Sequence, residues 1–288
     1  MSNPITLLRD AAAKVRAGMS APVVTNLELR GVIGEGFVGR RGLSQGRTAD
    51  AIEAAFKPKR LAAVALSINS PGGSPVQSRM IYQAVRRAAE KKKVPVYAFI
   101  EDVGASGGYI LALAADEIYA DASSVVGSIG VISAGFGFQE AMARFGVERR
   151  IHTAGESKSQ LDPFRREDPK DVERLKAILD DLHAQFIALV RERRGEKLSG
   201  APDTFTGAFW TAGPARERGL IDGTAHLTDF MKARFGETVK IRTVSGERVP
   251  LLRRLVGGQL ALSGGLEALP EAAWSAAEAR SLWARYGL

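Results

Sequence analysis

The chain has 288 residues, 45% hydrophobic and 25% charged, enough apolar mass for one large domain or two small ones, and too much for general disorder. It contains no cysteine, which excludes disulfides, thiolate catalysis and cysteine-ligated metals and fits a cytoplasmic setting. The net charge of +8 is scattered over short basic clusters without interleaved aromatic residues, so solvated faces are expected and a nucleic-acid partner is not.

Residues 1–21 read as an amino-terminal amphipathic helix, with Ile5, Leu8, Ala12 and Val15 at helical spacing. Arg9 and Asp10 interrupt its apolar patch, so it is not read as a secretory leader. No apolar run approaches the ~20 residues of a membrane span. A first strand is expected over 22–34, then a polar loop, then a helix "TADAIEAAF" capped by Thr48. "LAAVALSIN", 61–69, is a near-continuous apolar run, the pattern of a strand buried on both faces. "SPGGS" leads into a helix from Pro75 to about Lys93, with Ser74 as N-cap and Val76, Met80, Ile81, Ala84, Val85 and Ala88 inward. "VPVYAFIED", 94–102, is the next strand, and "GASGG" turns it into another helix. Short strand-like pieces follow in "EIYAD", "SVVGSIGVIS" and "ERRIHT". A long helix is expected over 168–195, with an apolar stripe of Val172, Leu175, Ile178, Leu179, Leu182, Phe186 and Val190 and a stop at Gly195. A short helix near 225–235 closes the body, and 236–288 reads as a basic amphipathic tail.

Strands alternating with helices predict an α/β fold, a mainly parallel sheet with helices on both faces. The expected organisation is an amino-terminal helix (1–21), one catalytic domain (22–235) and the tail (236–288). In such sheets ligands bind beyond the carboxyl ends of the strands, where both glycine-rich turns fall.

Ser106, in "GASGGYILA", carries a hydroxyl between a buried strand and an apolar helix. Amide donors at a helix start suit a developing oxyanion, and the flanking glycines admit a substrate backbone. An ordinary N-cap serine explains the same segment equally well. "INSPGGS" could aim a second amide at the same edge, but on its own reads as a tight turn capped by Ser74. A nucleophilic serine needs a base. Of the three histidines, His152, His183 and His226, only His152 comes into question, and a structural histidine explains it as well. Lys158, in "GESKSQLDPF", is the other candidate, although its local sequence reads as a surface loop; a lysine acts as base only where its ammonium is desolvated.

The ordered set "INSPGG", "GASGGYILA", "VGSIGV", "GESKSQLDPF" and "FTGAFWTAGPARERGLID" resembles the bacterial signal peptide peptidase family, the Ser–Lys type that includes the SppA and SohB proteases. The likeness runs from about residue 23 to 235. It implies a crotonase/ClpP-like fold, Ser106 as nucleophile, Lys158 as general base, and Ser128 as the serine holding the lysine amine. It implies Gly73 and Gly107 as oxyanion amides, with Gly72 an alternative in the first pair, and no metal or organic cofactor. An acyl-enzyme would form on Ser106, and a neutral lysine base implies activity that rises with pH. The family's habit of assembling into rings implies a homo-oligomer, and its substrates imply apolar peptides such as signal-peptide remnants. Membrane-bound members carry an anchor and some are doubled in length; this chain reads as one unit without an anchor. Its expected setting is the cytoplasm, with peripheral contact to an anionic membrane through the tail left open. Three other readings share the pattern: a phage prohead-type Ser–Lys protease, a crotonase-like acyl-CoA enzyme, and an inactive assembling scaffold.

Overall fold

The computed structural model describes residues 21–34, 42–245, 277 and 280–287. The expected amino-terminal helix and most of the tail lie outside the described residues.

β1 (Val23–Arg30) and α1 (Gln45–Ala55) precede β2 (Leu61–Ser70), α2 (Pro75–Lys92) and β3 (Val96–Ala105). α3 (Gly107–Ala112), β4 (Glu117–Ala120) and β5 (Val125–Gly127) follow. The chain then leaves the sheet through α4 (Gln139–Arg144) and returns along α5 (Pro169–Arg194) to β6 (Phe209–Thr211), α6 (Ala212–Glu217), β7 (Gly223–Thr224), α7 (Leu227–Phe235) and β8 (Lys240–Ser245). The eight strands are ordered β6-β5-β3-β2-β1-β8, with β4 beside β3 and β7 beside β4. Every pairing is parallel except β5 with β6. The mainly parallel α/β sheet of the sequence reading is therefore present.

β2 and β3 run through the centre and are apolar on both faces, as the unbroken runs require. One face packs on α1, α2 and α3 through Leu27, Leu66, Ile81, Val85 and Leu111. The other carries Val24, Ala65, Tyr97 and Phe99 against Met231 and Phe230 of α7. β3 divides its outer edge between two partners: Tyr97–Ile100 pair with β4, and Val103–Ala105 with β5. That split brings β5, and the residue after it, beside the end of β3.

Local signals set several boundaries as expected. Ser74 Oγ accepts from the Gln77 N–H (3.4 Å) and Pro75 opens α2. Asp168 accepts from the Lys170 N–H (2.9 Å), Pro169 opens α5, and Gly195, at φ 50°, ends it.

Other expectations are corrected. Ser44 is the residue before α1, and Thr48 lies inside its first turn, where its hydroxyl donates to Ser44 O (2.9 Å). Val76 and Met80 face outward at 62% and 40% exposure; the inner face of α2 is Ser78, Ile81, Tyr82, Val85 and Ala89. "ERRIHT" forms no strand, and "SVVGSIGVIS" supplies only β5. In α5 only the last third is packed, through Phe186, Leu189 and Val190. The sheet also runs past residue 235, since β8 pairs with β1 along Val23–Glu28. Among the described residues no helix is long and apolar enough to cross a membrane.

Candidate active site

Ser106 is the hinge between β3 and α3. It has φ 53° and ψ −122°, a conformation that a residue with a Cβ rarely adopts and that typically costs ~1–3 kcal/mol. Three main-chain bonds hold it there: its N–H donates to Gly127 O (2.9 Å), and its carbonyl accepts from the N–H groups of Tyr109 (2.9 Å) and Ile110 (3.1 Å). Its side chain makes no cap hydrogen bond, so the N-cap explanation fails. From Val103 to Ala115 it is the single residue that is not buried. The fold thus presents one hydroxyl at the mouth of an otherwise closed core.

The first glycine turn lies directly against it. A Cβ at Gly72 (φ 101°) would stand 2.8 Å from both Gly107 N and Ser106 Cβ. A Cβ at Gly73 (φ 138°) would overlap Ile33 O, one at Gly107 the Ser78 hydroxyl, and one at Gly108 the Ser70 carbonyl. Only glycine allows this approach. Bonds from Ile33 N–H to Gly72 O and from Ser74 N–H to Ile33 O, each 2.8 Å, fix the turn. Among the described residues the Gly73 and Gly107 N–H groups make no turn or cap hydrogen bond. The Gly72 N–H does: it donates to Ser70 Oγ (3.2 Å), which favours Gly73 over Gly72 as a free donor.

Ser128 comes next to Ser106 through sheet register. Ala105 and Gly127 are partners, so both serines leave parallel neighbouring strands at the same level, about one strand spacing (~4.8 Å) apart. Ser128 shares the strained backbone, at φ 54°, and donates its N–H to Ala208 O (2.7 Å).

Ser106, Gly107, Gly73 and Ser128 line one open cleft of about 2210 Å³, with Ile33, Ile110, Ile132, Leu182 and Phe186 among its apolar walls. That exceeds the roughly 300–1,000 Å³ of a small-molecule pocket and suits an extended chain. Phe209, opposite Gly127 in β6, also lines it, and its ring meets Tyr286 at 5.0 Å between centroids. The Phe209–Tyr286 contact had no local signal in the sequence, because it joins segments far apart.

Lys158 is not brought to Ser106 within the chain. It is exposed in a turn, its N–H donating to Gly155 O (3.2 Å), and while Glu156, Ser157 and Ser159 line the cleft, Lys158 does not. The histidines do not line it either. His152 is exposed, His226 sits 3.3 Å from Asp121, and His183 Nε2 is 3.0 Å from Ile129 O.

Behind α3 stands a polar brace that the sequence reading missed. Arg193 donates to the carbonyls of Leu113 (2.9 Å) and Ala115 (2.8 Å), the free end of α3. The buried Arg194 donates to Gly219 O (2.7 Å) and forks onto Asp222 (2.8 and 3.3 Å). Burial opposes ionisation of Asp222, but hydrogen bonds from Arg194, Lys197 and the Ile118 N–H outweigh it and hold the carboxyl below its ordinary range. The buried Tyr109 hydroxyl donates to Leu220 O (2.7 Å), and burial pushes that phenol far above its usual range.

The mainly parallel α/β sheet, with a strained serine and glycine turns at its carboxyl edge, has a crotonase/ClpP-like fold. The model of Peptidase family S49 matches residues 88–239, and the chain belongs to that family as an SppA/SohB-like member. It is 49% identical over 255 residues to the Na(+)/H(+) antiporter NhaA of Brucella melitensis, covering 86% of this chain but 34% of that protein. It is 31% identical to the putative protease slr0021 of Synechocystis sp., covering 69% of this chain and 73% of the relative. For the putative signal peptide peptidase SppA of Enterococcus faecium the identity is 25%, over 60% of this chain and 50% of the relative. The chain thus spans about a third of the first of these relatives. Among solved structures, a lysine-to-alanine mutant of the 1510-N membrane-bound stomatin-specific protease, in complex with a substrate peptide, superposes with a TM-score of 0.50 at 14% identity. The superposition covers 81% of this chain and 96% of that one, a likeness of fold.

Proposed function

We infer that the chain is a serine endopeptidase that cleaves unfolded apolar peptide segments through an acyl-enzyme on Ser106. The observation carrying this is the state of Ser106: strained, uncapped, half-exposed and set against two glycine turns. Substrate would lie in the apolar cleft with its scissile carbonyl at Ser106 Oγ. Lys158, its amine held by Ser128, takes the hydroxyl proton as Oγ attacks, and the Gly73 and Gly107 amides receive the oxyanion. The protonated lysine gives its proton to the leaving amine, then activates the water that frees the acyl group. Strain at Ser106 and Ser128 is fixed by the fold before substrate arrives, so alignment costs little on binding.

The lysine reaches Ser106 in a homo-oligomer. No residue from 131 to 185 is buried in the isolated chain, and this stretch, which carries Lys158, exposes Phe136 (66%) and Phe145 (83%). So much exposed apolar surface is what an interface between copies requires, and covering it would also desolvate the lysine. Signal-peptide remnants are the substrate suggested by the relative named signal peptide peptidase. Ion transport is not carried over from the antiporter-named relatives: an alignment of 255 residues in a chain of 288 necessarily includes 88–239, the S49 segment. The test is a serine-directed fluorophosphonate: one adduct per active chain, on Ser106, supports the reading, and an adduct elsewhere overturns it.

A further inference from the structure

We propose that His183 is a positioning residue for Ser128, holding the strained loop through the Ile129 carbonyl. The inference rests on the role given above to Ser128 as the partner of the lysine amine.

The loop after β5 has few supports. Ser128 sits at φ 54°, a conformation its own side chain disfavours, so its neighbours must impose it. On one side its N–H is tied to Ala208 O (2.7 Å) next to β6. Locally, the Gly130 N–H returns to Ser128 O (3.0 Å). From the other side comes His183, whose Nε2 lies 3.0 Å from Ile129 O. A carbonyl only accepts, so Nε2 carries the proton, and the bond exists in both the neutral Nε2–H form and the imidazolium. Beyond Gly130 the chain leaves the sheet, and 131–138 form no helix or strand. The histidine bond thus falls where body gives way to excursion.

His183 also sits where a rigid strut can deliver it. In α5 it occupies the same face as Phe186 and Val190, three and seven residues on, which are buried against the body. Four residues further, Arg194 is locked to Asp222 and Gly219 O, while Arg193 holds the end of α3. One helix therefore touches the scaffolds of both serines: α3, behind Ser106, through Arg193, and the Ser128 loop through His183. His183 does not line the cleft, so it acts through Ile129 and not on substrate.

The test is a double-mutant cycle on peptide turnover, using His183→Ala, His183→Phe and His183→Gln with and without Ser128→Ala. His183→Ala and His183→Phe are expected to lower kcat about tenfold with KM nearly unchanged, since they misplace a group without touching the bound peptide. Glutamine, which restores an N–H donor, should recover most of the rate, while phenylalanine fills the space without a donor. On the Ser128→Ala background the His183 substitutions should add little further loss. Additive losses, or a glutamine variant no better than phenylalanine, would overturn the proposal. If Ser128→Ala alone leaves kcat intact, the role of Ser128 has failed instead. That outcome is separable because His183→Phe against His183→Gln would still report whether the bond matters. Melting temperatures of the Phe and Gln variants should agree within a few degrees, which separates positioning from loss of fold.

Discussion

At the scale of single residues, the site depends on backbone conformation as much as on side-chain chemistry. Ser106 pays for its exposure with a positive φ, and that strain is measurable. Ser106→Gly and Ser106→Ala both remove the hydroxyl, but only alanine keeps a Cβ in the disfavoured region. The glycine variant should be more stable than the alanine variant by about 1 kcal/mol, read from chemical denaturation midpoints, while both are inactive. Equal stabilities would mean the backbone there is relaxed. Gly73→Ala makes the opposite point. A Cβ would be driven into Ile33 O, so the turn must shift, and peptide turnover should fall by roughly 10²-fold, the usual cost of a displaced oxyanion donor. Retained turnover would remove Gly73 from the site.

At the scale of elements, α3 is only six residues long and depends on its neighbours. Its carboxyl end is held by Arg193 and, at Ala114 O, by Arg86 (3.2 Å). The adjoining Arg194–Asp222 pair is nearly closed to solvent, so Arg194→Met leaves a carboxylate with only Lys197 and an amide as partners. A loss of about 3 kcal/mol in folding stability is expected. The same pair gives a pH dependence of definite sign. The Asp222 carboxyl is held below its ordinary value of 3.8, so its contribution is present above that value and lost as pH falls through the lower, folded-state value. Acid unfolding monitored by circular dichroism should show Asp222→Asn with a shallower acid limb; an unchanged limb contradicts the assignment. Elements also show what the sequence made legible. The starts of α2 and α5 and the stop at Gly195 were readable because caps, prolines and glycines act on adjacent backbone. The outward turn of Val76 and Met80, and the bare two-thirds of α5, were not. An apolar stripe reports that a surface avoids water, not which surface covers it.

At the scale of the whole molecule, the nonlocal parts of the site were hidden for a related reason. The side-by-side placement of Ser106 and Ser128 follows from the register of β3 with β5, which 21 intervening residues conceal. The motifs named both serines, but only the sheet brings them together. Lys158 poses the larger question, because its excursion, from residue 131 on, has no buried residue before Phe186. If the dyad closes between copies, Ser106→Ala and Lys158→Ala proteins, each inactive, should regain activity when subunits are mixed and exchanged. The wild type should sediment as an oligomer at the concentrations where it is active. A fully active monomer would confine the dyad to one chain.

The most direct measurement of the central claim is cleavage of an unstructured apolar fluorogenic peptide at mildly alkaline pH by the wild type and by Ser106→Ala, compared as assembled proteins of equal mass. The account predicts that the wild type cuts and that Ser106→Ala falls to background. Equal cleavage by the two proteins would contradict it and would leave Ser106 as a strained turn residue without a chemical role.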